Sequence, residues 1–475
     1  MKSWLHAALI AITVFLGGLG VYKVYRFFYP RIIKADLIIS NGTLITMNNQ
    51  REIIPNGVVV IRGTTILAVG PAEIMQYYSA KQTIDAHEGA ILPGFINGHV
   101  HAAMTLFRGV SDDAALETWL KQYIFPLEKK YVSPDFVYWG TMLGILEMIQ
   151  AGTTTAVDMY LHEASAAQAF HDLGMRAIAG YNIVTTDDLA LAKTFITQWL
   201  HDPLVTPAVA PHSPYACTTE VLLDAQKLSD TYQTPLLMHI AETQGEVDQI
   251  TQQYGKSPVS YLASIGLLSN RLIGAHLVKV DDAEIDLLKT FNVGVIHNPV
   301  SNMKLASGIA PITAMLKKKL LVGLGTDGAA SNNSLSMLET IKLTALAQKL
   351  FMNDPQVLDA QTALELATIR GAEAIHQDDA LGSLEPGKKA DVIIISLKNI
   401  HQQPVYNVVS QIVYASEASD VDTVIINGNI RMLHRTLACS QSLMNQILEH
   451  TNDYAHKIRK DIEISRKRSS RSLVP

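Results

Sequence analysis

Between residues 92 and 327 the chain passes through a series of short apolar runs, and most of them end in residues that bind metals or carry protons. The first leads into His99. The others are Thr155–Met159, Arg176–Val184, Val205–His212, Pro235–Glu242, Leu272–His276, Val293–Asn298 and Leu320–Asp327. Between most of them lie stretches of helical periodicity, such as Thr219–Asp230 and Asp281–Thr290, so the pattern is βαβα and predicts parallel strands. Eight parallel strands with helices outside close into a (β/α)8 TIM barrel, whose chemistry sits at the C-terminal strand ends. His99, His101, His212, His239, His276 and Asp327 all fall there.

The segment LPGFINGHVHAAMTLFR (92–108) places His99 and His101 two apart at the end of a strand-like run. Residues i and i+2 of a strand share a face, so both imidazoles can reach one ion. Taken alone, an H-x-H is as readily a surface feature as half of a metal site.

The segments PGFINGHVHAAMTLFRG, APHSPYACT, HIAET, GAHLVKV, HNPVSNMKLASGIAPI and LGTDGAASNNSLSMLETIK together resemble the metal-dependent amidohydrolase superfamily. Within it they are most similar to the methylthioadenosine/S-adenosylhomocysteine deaminases and the triazine hydrolases. The likeness runs from about Ala35 to about Arg431. It implies that His99, His101, His239 and Asp327 hold one Zn2+, with Fe2+ or Mn2+ as alternatives, in a site that keeps a position for water. Binuclear relatives have a bridging lysine at the end of the fourth strand. This chain has His212 there, which favours one ion. Such an ion brings the pKa of its water to about 7.

The same resemblance implies roles for the remaining residues. Glu242 is the general acid/base that protonates the ring nitrogen; its rival reading is a solvated loop carboxylate. His276 and Asp327 orient the attacking water, and Asp327 also accepts its proton. Glu128, in FPLEKKY, holds the ribose hydroxyls of an adenine nucleoside or, in the rival reading, pairs with a lysine of its own helix. His212 meets the purine ring. His297, Asn298, Ser301 and Asn302 form a turn read equally as structural support or as substrate contact, and the Gly/Ala/Ser/Asn-rich run 325–334 suits a tight turn beside the pocket.

The implied function is a zinc-dependent hydrolytic deaminase acting on methylthioadenosine, adenosine or an S-adenosylhomocysteine-like nucleoside. A triazine- or guanine-type amidohydrolase or chlorohydrolase is the alternative within the class, and a metal-binding receptor without turnover is the alternative outside it. One departure bears on substrate. Relatives that take S-adenosylhomocysteine grip its carboxylate with arginines after the third strand. Here Tyr181 and Asn182 stand in GYNIVTTDD, no arginine follows up to Asp202, and Arg176 lies at the start of its strand, where a structural pairing is expected.

Outside the barrel, Asp36–Met47 and Gly57–Val69 precede it, and Ala390–Ser396 and Val421–Met432 follow it. Their β-branched alternation and the Asn-Gly pairs at 41–42 and 427–428 predict strands and tight turns that combine into one composite β-sandwich. The expected division is 1–34 anchor and linker, 35–90 N-terminal portion of the sandwich, 91–384 barrel, 385–435 C-terminal portion of the sandwich, and 436–475 C-terminal helix and basic tail. The tail from His456 to Arg471 reads first as a solvated, partly disordered end and second as a weak contact for anionic lipid.

From Ser3 to Tyr22 there is no charged residue, and these 20 residues at about 1.5 Å each span roughly 30 Å, the thickness of a bilayer core. The expectation is an N-terminal transmembrane helix with the enzyme on the cytoplasmic side, since Lys23, Arg26, Arg31 and Lys34 outweigh Lys2. A cleaved signal peptide is the rival, although no A-x-A-like site follows the run. With 475 residues, 48% hydrophobic and a net charge of −6, the chain can bury a large core and has no basic bias toward nucleic acid. Its two cysteines are too few for a disulfide framework. The expected partners are thus a small heterocyclic substrate, the membrane and further copies of the chain in a homo-oligomer.

Overall fold

The computed structural model describes residues 32–471. Five strands come before the barrel: β1 (Ile33–Ile45), β2 (Ile53–Arg62), β3 (Thr65–Pro71), β4 (Tyr78–Asp85) and β5 (Ala90–Pro93). Eight follow as β6 (Phe95–Val100), β7 (Thr153–Tyr160), β8 (Arg176–Ile183), β9 (Val205–Pro211), β10 (Leu236–Ile240), β11 (Leu272–His276), β12 (Gly294–His297) and β13 (Leu321–Leu324). These eight form one parallel sheet in chain order, with helices between successive strands. Ile96, Val157, Ile178, Ala208, Leu237, Ile273 and Ile296 pack together in its interior, the layered filling expected of a (β/α)8 barrel.

Where β13 meets β6, side chains complete the closure. Asn97 donates through Nδ2 to Thr326 Oγ1 at 2.8 Å and accepts from the Thr326 N–H at 3.0 Å. One step on, the Asp327 N–H donates to the His99 carbonyl at 3.0 Å. A β-carbon on Gly325 would lie 2.4 Å from Asn298 Oδ1 and 2.8 Å from the His99 backbone. Only glycine lets the two strand ends approach this closely.

The flanks meet in a second sheet of nine strands, completed by β14 (Val392–Ile395), β15 (Val421–Ile426), β16 (Asn429–Leu433) and β17 (Thr436–Leu437). Its joint is β5 against β14, antiparallel, with Leu92 opposite Ile393. Leu37, Ile39, Val59, Ile84, Val392, Ile394 and Ile425 share one core. The flanks therefore form a single branched sheet, in which β1 pairs with β2 along one edge and with β4 and β5 along the other.

Two expectations are corrected here. The transmembrane helix over Ser3–Tyr22 lies outside the described residues, and no helix among the described residues is long and apolar enough to cross a membrane. The membrane location and orientation that rested on it are withdrawn. Of the two longest described helices, Pro134–Gln150 has only 17 residues, short of the roughly 20 that a span needs. The other, Gln441–Arg471, carries Asp453, Lys457, Arg459, Lys460, Asp461 and Glu463, charges that hydrocarbon does not accommodate.

The basic tail is the second correction, because its residues continue this same helix to Arg471. Ile447, Thr451 and Ile458 are buried along one face. Tyr454 donates to Asp135 at 2.9 Å, and the His450 ring stacks on Trp139 at 4.1 Å. That spacing is an amphipathic stripe packed on the helix Pro134–Gln150.

Candidate functional site

Strand periodicity explains how β10 delivers its histidine. Leu237 packs inside the barrel and His239, two residues on, keeps the same face at the C-terminal end. His99 stands on β6 and His101 directly after it. At the end of β11 and beyond β13 the chain turns through left-handed residues, His276 (φ 76°), Leu277 (φ 45°) and Asp327 (φ 62°), and Ala241 (φ 51°) does the same after β10. Residues with a β-carbon avoid this region, so surrounding bonds must hold them there.

The Nε2 atoms of His99, His101 and His239 converge with the Asp327 carboxylate. His101 Nε2 lies 3.2 Å and His99 Nε2 3.6 Å from Asp327 Oδ1, and His239 Nε2 is 3.4 Å from His101 Nε2. The ligand atoms of His99, His101 and His239 lie within 4.8 Å of one another, as do those of His99, His276 and Asp327.

The other ring nitrogens fix the tautomers. His101 donates from Nδ1 to the Met159 carbonyl, and His239 donates from Nδ1 to the His212 carbonyl at 2.8 Å. Their Nε2 atoms are therefore left to face each other and Asp327, and among the described residues the buried His99 Nε2 has no hydrogen-bond partner. Such a group of ring nitrogens beside a carboxylate favours a cation, and imidazole with carboxylate is a donor set suited to a divalent metal. The residues fit the ion.

The electrostatics agree. Burial alone raises the Asp327 carboxyl, but the His101 and His99 rings beside it outweigh this and hold the group well below the usual carboxylate range. At His101 burial lowers the pKa, and the Asp327 hydrogen bond and charge overcome this and lift it to about 9. Burial takes His99 and His212 down to about 4 and His239 well below its ordinary value. The anion at Asp327 thus calls for one positive charge among otherwise neutral imidazoles. Asp327 is fixed for that purpose: Oδ2 accepts from Ser301 Oγ at 2.6 Å and Ser331 Oγ at 2.8 Å, and Oδ1 accepts from the Gly328 N–H at 2.8 Å.

A cavity of about 400 Å³ opens over this cluster, lined by His101, His212, His239, Glu242, His276 and Asp327 together with Glu128 and Tyr160. His99 sits beneath the lining at 3% exposure, so the residues given metal, catalytic or substrate roles from the sequence lie in or directly under one cavity, whereas His297, Asn298, Ser301 and Asn302 do not line it. Glu242 Oε1 is 3.9 Å from His276 Nδ1 and accepts from Ser307 Oγ at 3.3 Å. Burial pushes its pKa up. His276 donates from Nδ1 to Asn302 Oδ1 at 2.9 Å. Burial likewise raises Glu128, which accepts from the Tyr160 hydroxyl at 2.7 Å and makes no ion pair with Lys129 or Lys130. Lys130 pairs with Asp461 instead.

Sequence reasoning passed over Tyr160, Ser307, Glu246 and the buried pair Asp158 and Glu163. Tyr160 is one residue beyond the apolar run at 155–159, and extending that run by one strand residue would have reached it. Thr243 and Glu246 carried a clearer signal, T-x-x-E at the start of a helix. Asp158 accepts from the Ala102 N–H at 2.7 Å and Glu163 from the Tyr160 N–H at 3.0 Å, backbone bonds that leave no sequence trace.

A model of the Amidohydrolase family matches residues 90–431. The chain belongs to the amidohydrolase family. Like the family, it is a metal-dependent hydrolase acting on carbon–nitrogen bonds other than peptide bonds. This amidohydrolase is 43% identical over 403 residues to the 5-methylthioadenosine/S-adenosylhomocysteine deaminase of Thermodesulfovibrio yellowstonii, covering 82% of this chain and 92% of that one. It is 38% identical over 435 residues to the 5′-deoxyadenosine deaminase of Methanococcoides burtonii, covering 89% and 99%. Among solved structures, the zinc-bound adenosine deaminase of Xanthomonas campestris superposes with a TM-score of 0.88 at 34% identity, covering 91% of this chain and all of that one.

Proposed function

We propose that this amidohydrolase is a zinc-dependent deaminase of an adenine nucleoside, with 5′-methylthioadenosine or adenosine as substrate. The observation that carries the reading is one cavity of about 400 Å³ that holds both a buried acid, Glu242, beside the His/Asp cluster and a second buried carboxylate, Glu128, for a sugar. This volume suits a nucleoside-sized ligand.

His99, His101 and His239 through Nε2, and Asp327 through Oδ1, would hold the ion. When bound, it supplies a Lewis acid that makes hydroxide available near neutral pH. His276, whose Nδ1–H is spent on Asn302, turns Nε2 to the attacking water and accepts a hydrogen bond from it, while Asp327 takes the water's proton. Glu242, whose protonated form burial favours, gives its proton to N1 of the purine as the water oxygen bonds to C6. The proton held at Asp327 then passes to the amine, the C6–N bond breaks as the C6 hydroxyl returns its remaining proton to Glu242, and ammonia leaves with a carbonyl at C6. Tyr160 occupies one oxygen of Glu128, and the other is left to accept from a ribose hydroxyl.

Among the described residues, the cavity lining contains no lysine or arginine. Arg176 is engaged elsewhere, bidentate on Asp391 at 2.8 and 3.1 Å. A carboxylate on the 5′ substituent would be desolvated without a partner, so S-adenosylhomocysteine is a poorer substrate than methylthioadenosine. Ammonia release from adenosine, methylthioadenosine, S-adenosylhomocysteine, guanine and an aminotriazine tests the assignment. A preference for methylthioadenosine or adenosine in kcat/KM is expected, and equal turnover of nucleosides and triazines would overturn it.

A further inference from the structure

Among the described residues Glu242 receives one side-chain hydrogen bond, the long one from Ser307, so its aim is set mainly by its backbone. That backbone is unusual. After β10 the chain reverses at Ala241 in a left-handed conformation, and the Ala241 carbonyl turns back to accept from the N–H groups of Val278 and Lys279 at 3.0 and 2.9 Å. The N–H groups of Ala241 and Glu242 then point the other way, into the buried base of the next helix, where unpaired donors would be costly. Both are met by one side chain. Glu246 Oε1 accepts from Ala241 at 2.9 Å and Oε2 from Glu242 at 2.8 Å.

Glu246 is itself fixed on the helix Gln244–Tyr254. The Thr243 hydroxyl caps that helix by accepting from the Glu246 N–H at 3.3 Å, and the Glu246 side chain is buried at 5% exposure. In an ordinary capping box the glutamate reaches back to the N-cap residue's own N–H. Here it reaches further, to the two residues before the cap.

We propose that Glu246 is a positioning residue for Glu242: its carboxylate clamps the left-handed turn that directs the acid toward the reacting ring. The proposal rests on the reading of Glu242 as the acid/base. Misplacing a proton donor by a fraction of an ångström costs rate rather than binding, and groups that orient a site residue typically contribute 10- to 100-fold.

Steady-state kinetics on methylthioadenosine, with metal analysis of each protein, test it. Glu246→Ala is expected to lower kcat about 10- to 100-fold with KM and metal content unchanged. Glu246→Gln, which keeps one acceptor oxygen and preserves volume, is expected to fall between it and the parent. In a Glu242→Gln background, Glu246→Ala should cause no further loss, because it acts through a group already disabled. A second full loss in that background overturns the proposal, as does a loss confined to KM or to metal content. If Glu242→Gln alone retains turnover, the acid/base reading itself fails and the proposal falls with it.

Discussion

Glu246 faces two opposed demands. Burial, only partly offset by its two N–H bonds, raises its carboxyl to about 7 from an ordinary 4.5. A carboxyl raised on folding binds its proton more tightly in the native state, so its contribution to stability is present below about 4.5 and is lost as pH rises through about 7. The wild type should therefore lose stability relative to Glu246→Gln across that window, by up to a few kcal/mol. Urea unfolding of both proteins at pH 4.5 and 8 measures it, and parallel curves would refute it. Glu242 yields a simpler expectation. Glu242→Gln keeps the shape without the transferable proton, so turnover should fall about a hundredfold or more while the metal stays. Glu128→Ala should injure nucleoside turnover far more than that of a sugar-free heterocycle, because only the nucleoside loses a charge-assisted hydrogen bond of about 1.5–3 kcal/mol.

Among elements, the seam between β6 and β13 is closed by Asn97 and Thr326 rather than by a strand ladder. Asn97 and Thr326 satisfy each other there, so Asn97→Ala leaves the buried Thr326 N–H without its acceptor and should cost about 1–3 kcal/mol. Because the next bond in line runs from Asp327 to His99, metal affinity should fall in the same variant. Thermal melts and titration with zinc read the two effects, and unchanged affinity would mean that the seam closes without Asn97. The seam also shows what a sequence does and does not disclose. The strand ends at His99, His239, His276 and Asp327 were readable because apolar runs terminate in polar residues. The turn that commits Ala241 to a left-handed conformation was not, because alanine carries no mark of it. A C-terminal helix was expected, but its tail from His456 was misjudged as a disordered end because the basic residues there masked the continuation of the stripe of Ile447, Thr451 and Ile458 that packs on the helix Pro134–Gln150.

At the scale of the whole molecule, Arg176 and Asp391 tie the barrel to the flanking sheet. Both are buried, and Asn427 completes the group by donating its N–H to Asp391 Oδ1 at 2.7 Å. Removing only the cation strands a buried carboxylate, so Arg176→Met should cost about 3–5 kcal/mol. The double variant Arg176→Met/Asp391→Asn should cost less than the single. Chemical denaturation separates these outcomes, and a double variant less stable than the single would show that the pair is more than a matched charge. Composition and strand propensity announced the two flanks but not how they join, since Leu92 and Ile393 look alike whether or not they are neighbours.

That join has a consequence for how the protein is made. The strand Ala90–Pro93 finds its partner in Val392–Ile395, roughly 300 residues further along, and at about 5–20 residues per second a ribosome needs some 15–60 s to supply it. Throughout that interval the nascent chain presents an unpaired, fully apolar edge, the kind of surface that recruits other chains. Chains arrested near residue 390 should aggregate or bind a holdase chaperone, whereas chains arrested after emergence of residue 440 should not.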